Sequence, residues 1–89
     1  MKLPRMRNFK TKNSSMINSI HFISDFKNET LFVEFKNGGL YSYDKVSFKV
    51  YKDLKKANRK RESVGSLFHN LVKSQDYEYK KVDYLARFV

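Results

Sequence analysis

The segment Thr30–Asp44, "TLFVEFKNGGLYSYD", decides how this chain folds. Its first half alternates apolar and polar residues, with Leu31 and Val33 on one side, as a half-buried strand does. Its middle contains Asn37 and Gly38, and an Asn-Gly pair between two apolar runs is the strongest short hairpin signal. The segment therefore predicts two antiparallel strands joined by a tight turn.

The length of the turn decides which way Tyr41 and Tyr43 point. A two-residue loop pairs Val33 with Ser42 and turns both tyrosines away from the apolar face, whereas a three-residue loop places them on that face. We favour the three-residue loop because it also sends Ser42 and its acidic neighbours outward together. Tyr41 and Tyr43 are then expected in the core, with their hydroxyls near its edge.

Two helices are predicted after the hairpin. Ser47 can cap a helix over residues 48–60, in which an apolar stripe is separated from a basic one. Ser63 can cap a second helix over residues 63–74, whose apolar residues have the spacing of a buried stripe.

Strands are predicted on both sides of these elements. "SSMINSIHFIS", residues 14–24, indicates a first strand, and residues 78–89 are a C-terminal extension that suits a last strand or a helical turn, of which we favour the strand. The predicted fold is therefore α+β: a small antiparallel β-meander of three or four strands with two helices packed on one face.

Charge is concentrated in two segments of this 89-residue, single-domain chain, whose formal net charge is +10. Residues 1–13 contain five bases and no acid, and residues 49–61 contain seven bases and one acid. Residues 1–13 lack periodicity, so they are expected to form a loose basic arm before a domain at 14–77. Concentrated positive charge favours binding to phosphates, although a solvated tail and helix face are the alternative.

The candidate site follows from these two segments. The predicted nucleic-acid-binding residues are Arg5, Arg7, Lys10, Lys12, Lys49, Lys52, Lys55, Lys56, Arg59, Lys60 and Arg61. Phe9 and Phe48 are the candidates for stacking on an unpaired base.

Other function classes find little support in the sequence. There is no cysteine, and His21 and His69 have no metal-ligand spacing, so we expect no catalytic site, metal, cofactor or small-molecule substrate. No apolar run approaches the roughly 18 residues that a membrane span needs, and no apolar segment follows the basic start as in a signal peptide. We expect a cytoplasmic protein without a membrane partner.

An ordered set of residues resembles the KTSC domain family, named for a module at the C-terminus of some lysyl-tRNA synthetases and also found as free-standing bacterial and phage-type proteins. The set is Ser14, Ser15, Ile17, Ile20, Leu31, Val33, Phe35, Tyr41, Tyr43, Val46, Tyr51, Leu54, Ala57, Ser63, Gly65, Phe68, Val72 and Tyr77. Three features depart from the family pattern: Ser47 replaces a proline, His69 replaces an asparagine, and residues 58–62 are inserted. The family has no established activity, and the resemblance implies RNA binding.

Two function hypotheses follow. In the first, the protein is a non-enzymatic module that binds RNA or an RNA–protein complex through its arm and basic helix face. In the second, it is an inhibitor encoded by a mobile element, of the anti-CRISPR type, which binds a host nucleoprotein effector directly. Ribonuclease treatment separates them, because only the first needs RNA.

Overall fold

The computed structural model describes residues 5–12, 14–24 and 28–82. Its five-stranded antiparallel sheet has the order β1-β2-β3-β4-β5. The strands are β1 (Arg5–Lys10), β2 (Ile17–Ser24), β3 (Glu29–Phe35), β4 (Leu40–Asp44) and β5 (Tyr79–Val82). The helices are α1 (Phe48–Arg59) and α2 (Val64–Phe68), and α2 continues as a π-helical segment, His69–Lys73. The predicted α+β class is confirmed, but the predicted count of three or four strands was wrong.

The additional strand is β1, which comes from the basic arm. It pairs with β2 along its whole length, so the expectation of a loose arm was wrong for Arg5–Lys10. One side chain of β1, Phe9, packs against Tyr51 of α1 with ring centroids 5.6 Å apart. Deleting residues 1–12 should therefore lower the melting temperature, because it removes a strand and a core contact.

The hairpin between β3 and β4 has the three-residue loop. Val33 lies opposite Tyr41 and Leu31 opposite Tyr43, so both tyrosines share the apolar face, as predicted. Tyr43 is buried and Tyr41 is half-buried. Ser42 lies on the other face, yet it is also buried, so the expectation that it points outward into solvent was wrong.

The loop needs a glycine at one position. Gly38 has φ of 98°, a conformation that side-chain-bearing residues rarely adopt, and the Phe35 N–H donates to the Gly39 carbonyl at 2.8 Å to close the turn. The Asn-Gly signal thus predicted a real backbone requirement.

Both helices pack on one face of the sheet. Phe22 of β2 and Tyr43 of β4 lie on that face because each is in register with Leu31 between them. Phe22 contacts Tyr51 of α1 with ring centroids 5.4 Å apart, and Tyr43 contacts Phe68 of α2 at 5.5 Å. The core therefore fills the space between the sheet and the two helices.

The helix starts differ from each other. The Ser63 hydroxyl accepts the Ser66 N–H, which is the cap that the sequence predicts. Ser47 occupies the N-cap of α1, but its side chain makes no capping hydrogen bond. At the other end of the chain, β5 confirms a strand at Tyr79–Val82, while residues 83–89 lie outside the described residues.

Candidate nucleic-acid interface

Helix α1 presents a row of cations because its apolar stripe is held in the core. Tyr51, Leu54 and Ala57 are buried, which turns the opposite side of the helix to solvent. The exposed basic residues on and just after this helix are Lys49, Lys52, Lys55, Lys56, Arg59, Lys60 and Arg61. The acid of this segment, Asp53, pairs with Lys49 at 3.1 Å, and an exposed pair of this kind contributes little to stability.

A buried amide joins this helix to the end of β1. Asn58 of α1 is 6% exposed, and its Nδ2 donates to the Lys10 carbonyl at 3.0 Å. The backbone N–H of Lys12 donates to Asn58 Oδ1 at 2.7 Å. Because both backbone groups belong to the outer edge of the sheet, Asn58 takes the place that a neighbouring strand would otherwise fill. The basic arm and the basic helix therefore form one surface, which we call the basic edge.

A second contact joins β1 to the start of the same helix. Arg7 Cζ lies 5.0 Å from the centroid of the Phe48 ring, and Lys52 Nζ lies 5.9 Å from it. Cations at such distances over an aromatic ring are attracted by its quadrupole. Arg7 and Lys52, which are far apart in the sequence, are thus held around one ring.

The cations of β1 lie on both faces of the sheet. Arg7 is in register with Phe22 on the helix-covered face, whereas Lys10 is in register with Ser19 on the opposite face. The pKa of Glu34 is lowered mainly because the Asn18 side chain donates to its carboxylate, and the positive charge of Lys10 adds to this lowering. The basic edge therefore wraps around the border of the sheet, and the side chain of the remaining candidate, Arg5, lies outside the described residues.

The two candidate stacking rings are partly used by the protein itself. Phe48 is half-buried and packs against Phe22 and Tyr51, with centroid distances of 5.5 and 5.9 Å. Phe9 is also half-buried, against Tyr51. Their stacking on an RNA base stays a prediction.

Tyr51 lies beneath these rings and is the most buried polar group of the basic edge. Its hydroxyl has no hydrogen-bond partner among the residues that the structure describes. Burial raises the pKa of the Tyr51 hydroxyl, and the neighbouring Arg7 charge opposes that rise. The hydroxyl therefore stays protonated at neutral pH.

The end of α1 gives Arg61 an unusual backbone. Its φ is 61°, and its N–H donates to the Asn58 carbonyl at 3.1 Å, while the Glu62 N–H donates to the Ala57 carbonyl at 2.9 Å. This pair of bonds is a Schellman motif, in which the residue with positive φ is usually glycine. An arginine therefore occupies a position where the backbone favours glycine.

The two histidines lie in different places: His21 is in β2, in register with Asn8 of β1, and His69 is in the π-helical segment. His21 is on the face of the sheet opposite the helices, where its Nε2 lies 3.0 Å from Ser19 Oγ, and that hydroxyl donates to Glu34 at 2.9 Å. Burial lowers the pKa of His21, and the nearby Glu34 charge partly offsets this. His69 is exposed in the π-helical segment.

The described residues contain neither a group of metal ligands nor a membrane-spanning helix. Within residues 5–12, 14–24 and 28–82, no three His, Cys, Asp or Glu side chains are grouped so that they could hold a metal ion. In the same ranges no helix has both the length and the apolar character needed to cross a bilayer.

Asn58 is the residue of this surface that the sequence did not reveal. It lies four residues after Leu54 and seven after Tyr51, which is the spacing of the buried stripe, but a polar residue in a run of charged ones does not extend an apolar pattern. Its position as the first of the inserted residues 58–62 was an available signal, because an insertion beside a basic helix changes what that helix can contact.

Comparison with known protein families gives a match over most of the chain. A family model described as the KTSC domain matches residues 13–77, which is most of the chain. The chain therefore belongs to the KTSC domain family. No curated protein matches it.

Proposed function

We propose that this KTSC-domain protein is a small, non-enzymatic, cytoplasmic binding module that engages RNA or an RNA–protein complex through the basic edge. The observation that carries the proposal is the Asn58 bridge, which joins the backbone of the arm to α1. Because of it, two basic segments that are distant in the sequence act as one surface. Such a surface can contact several phosphates of one strand at once.

The charge balance of the basic edge supports a polyanion as its ligand. Residues 49–61 contain seven bases and one acid, and Lys49 neutralises that acid. The other cations of α1 have no acidic partner among the described residues. Phosphates placed on them release condensed counterions, which makes the binding favourable at low salt.

The backbone of Arg61 supports the same ligand. A non-glycine residue in the left-handed region costs roughly 1–2 kcal/mol, which glycine at this position avoids. The presence of a cation there is explained if its charge contributes to binding. The backbone conformation at this position by itself favours glycine.

The test is an RNA titration with charge-reversal variants. We choose the triple variant Lys52→Glu, Lys56→Glu and Arg59→Glu, whose side chains are exposed and do not belong to the core. A matched control with the same charge change combines Lys36→Glu, Lys80→Glu and Lys81→Glu, which are exposed elsewhere. Fluorescence anisotropy with a labelled single-stranded RNA measures affinity at several salt concentrations.

We expect wild-type affinity to fall with salt, with a log-log slope of about −0.7 for each phosphate contact. The basic-edge variant should bind RNA more weakly and with a smaller salt dependence than wild type. The control variant should keep most of the wild-type affinity and salt dependence. Equal affinity of the folded basic-edge variant and the wild type would contradict the proposal.

Ribonuclease treatment tests the alternative, an inhibitor that binds a host nucleoprotein effector directly. Partners are captured from a bacterial lysate with wild type and the basic-edge variant, with and without ribonuclease. Recovery that depends on RNA supports our proposal. A protein partner that survives ribonuclease and shows a shallow salt response favours the inhibitor.

A further inference from the structure

A pocket of about 500 Å³ lies at the other border of the sheet, between the β4–β5 pair and the π-helical segment. Its walls are unusually aromatic, since Phe35, Tyr41, Tyr43, Tyr77 and Tyr79 all line it. Its volume is within the range of pockets that hold small planar ligands. We call it the aromatic pocket.

Its rings leave one large stacking surface accessible. Tyr43 and Tyr79 are stacked, with centroids 5.6 Å apart and planes at 28°, and Tyr41 lies 6.4 Å from Tyr79. Tyr79 is nevertheless 65% exposed. An aromatic ring this exposed gains by contact with another planar group, because stacking removes its apolar surface from water.

Two amide side chains line the pocket, and each has one polar group without a partner among the described residues. Asn37 Oδ1 accepts the Gly39 N–H at 2.9 Å, which leaves the Nδ2 of Asn37 as a donor. Gln75 Nε2 donates to the Asn70 carbonyl at 3.2 Å, which leaves the Oε1 of Gln75 as an acceptor. A planar ligand with a donor and an acceptor on its edge matches this pair.

The charges at the pocket favour a neutral ligand. Lys73 and Asp76 line it together, so they nearly cancel, and its other polar atoms belong to amides and phenols. Burial raises the pKa of the Tyr43 hydroxyl, and the nearby Tyr79 and Tyr41 raise it further, so that hydroxyl stays neutral. Neither a lone phosphate nor a free cation would meet an excess of opposite charge among the residues that line the pocket.

We propose that the aromatic pocket binds an unpaired nucleobase, which stacks on Tyr79 while Asn37 and Gln75 contact its edge. The inference rests on the proposed function in one respect: the base is taken to belong to the RNA held at the basic edge. Four strand spacings separate β1 from β5, roughly 19 Å in total. A strand of several nucleotides is therefore needed to occupy both sites.

Free nucleosides test the pocket without the basic edge, because they carry no phosphate. Adenosine, guanosine, cytidine and uridine are titrated separately into the full-length, isotope-labelled protein, and amide chemical shifts are recorded by NMR. At least one nucleoside should shift Gln75 and Tyr79 in a saturable way. Tyr79→Ala should abolish the shifts, and Tyr79→Phe should preserve them.

A second measurement uses RNA with one abasic position in place of each base in turn. At one position the loss of the base should weaken wild-type binding by about tenfold, and Tyr79→Ala should remove that difference. Gln75→Ala should reduce discrimination among bases while stacking remains. The salt slope should be the same in Tyr79→Ala and wild type, because phosphate contacts are untouched.

The two proposals fail in different ways. If no nucleoside shifts the pocket residues and no abasic position weakens binding, the pocket proposal is overturned even when the basic-edge variant loses RNA. If nucleosides bind normally while the basic-edge variant keeps full RNA affinity, the pocket proposal stands and the proposed function fails. Melting curves of each variant confirm that the fold is intact.

Discussion

The two borders of the sheet have opposite chemistry. The basic edge at β1 and α1 exposes cations above a hydrogen-bonded, buried amide, Asn58. The aromatic pocket at β4 and β5 exposes Tyr79 and has nearly balanced charge. The two proposed interactions, phosphate binding and base stacking, therefore fall at separate borders of one small sheet. Each border can then be changed without the other.

The largest expected effect comes from Phe68, which supports the aromatic pocket from below. Its ring is 3% exposed and lies 5.5 Å from Tyr43 and 6.1 Å from Phe35. Phe68→Ala should cost about 3–5 kcal/mol and unfold most of a domain this small. Thermal and urea denaturation measure this, with the exposed neighbour His69→Ala as the control. Wild-type melting of Phe68→Ala would contradict the described packing.

A smaller effect is expected from the link that assembles the basic edge. Asn58→Ala removes both hydrogen bonds to the end of β1 and should lower the free energy of unfolding by about 1–3 kcal/mol. RNA affinity should fall although no charge changes, because residues 10–12 are no longer held against α1. Asn70→Ala, at an exposed asparagine, is the matched control. Unchanged RNA affinity in the folded Asn58→Ala protein would show that holding residues 10–12 against α1 does not contribute to binding.

Arg61 should show a conflict between stability and binding. Arg61→Gly relieves the positive φ and should raise the free energy of unfolding by about 1 kcal/mol, while RNA affinity decreases. Lys60→Gly removes the same charge at a residue with φ of −84°, so it should lower stability instead. Chemical denaturation and RNA titration of the pair separate the two effects. If Arg61→Gly binds RNA as wild type does, the charge of Arg61 does not explain its presence.

The smallest effect concerns one tyrosine at each border. Tyr51→Phe removes a hydroxyl without a partner among the described residues, so stability at pH 7 should stay equal or rise by about 1 kcal/mol. Burial raises the pKa of both Tyr51 and Tyr43 above the usual 10.0, so the folded state holds these protons more tightly. The contribution of each raised pKa to the free energy of unfolding is therefore present below pH 10, and it is lost as pH rises through the folded-state pKa.

Denaturation at a series of alkaline pH values checks this for wild type, Tyr51→Phe and Tyr43→Phe. Above pH 10, the free energy of unfolding should fall less steeply in each variant than it does in wild type. The nearby Arg7 opposes the shift at Tyr51, whereas at Tyr43 the neighbouring tyrosines reinforce it. Identical curves for all three proteins would show that neither hydroxyl contributes.

Local signals account for what was predictable from the sequence. Gly38 needs a positive φ, so the Asn-Gly turn and the register of Tyr41 and Tyr43 followed from loop chemistry. The spacing of Tyr51 and Leu54 determined which side of α1 is buried, and hence which lysines and arginines are exposed. These features depend on residues that are close in the chain.

Contacts between segments that are distant in the sequence could be identified only from the tertiary structure. Strand β1 has one well-packed apolar ring, Phe9, and its place in the sheet depends on pairing with β2 rather than on its own pattern. The Asn58 bridge and the stacking of Tyr43 on Tyr79 likewise join residues far apart in the chain. The sequence shows that these groups are present. Whether they come into contact depends on long-range strand pairing and packing, which a local hydrophobic pattern does not specify.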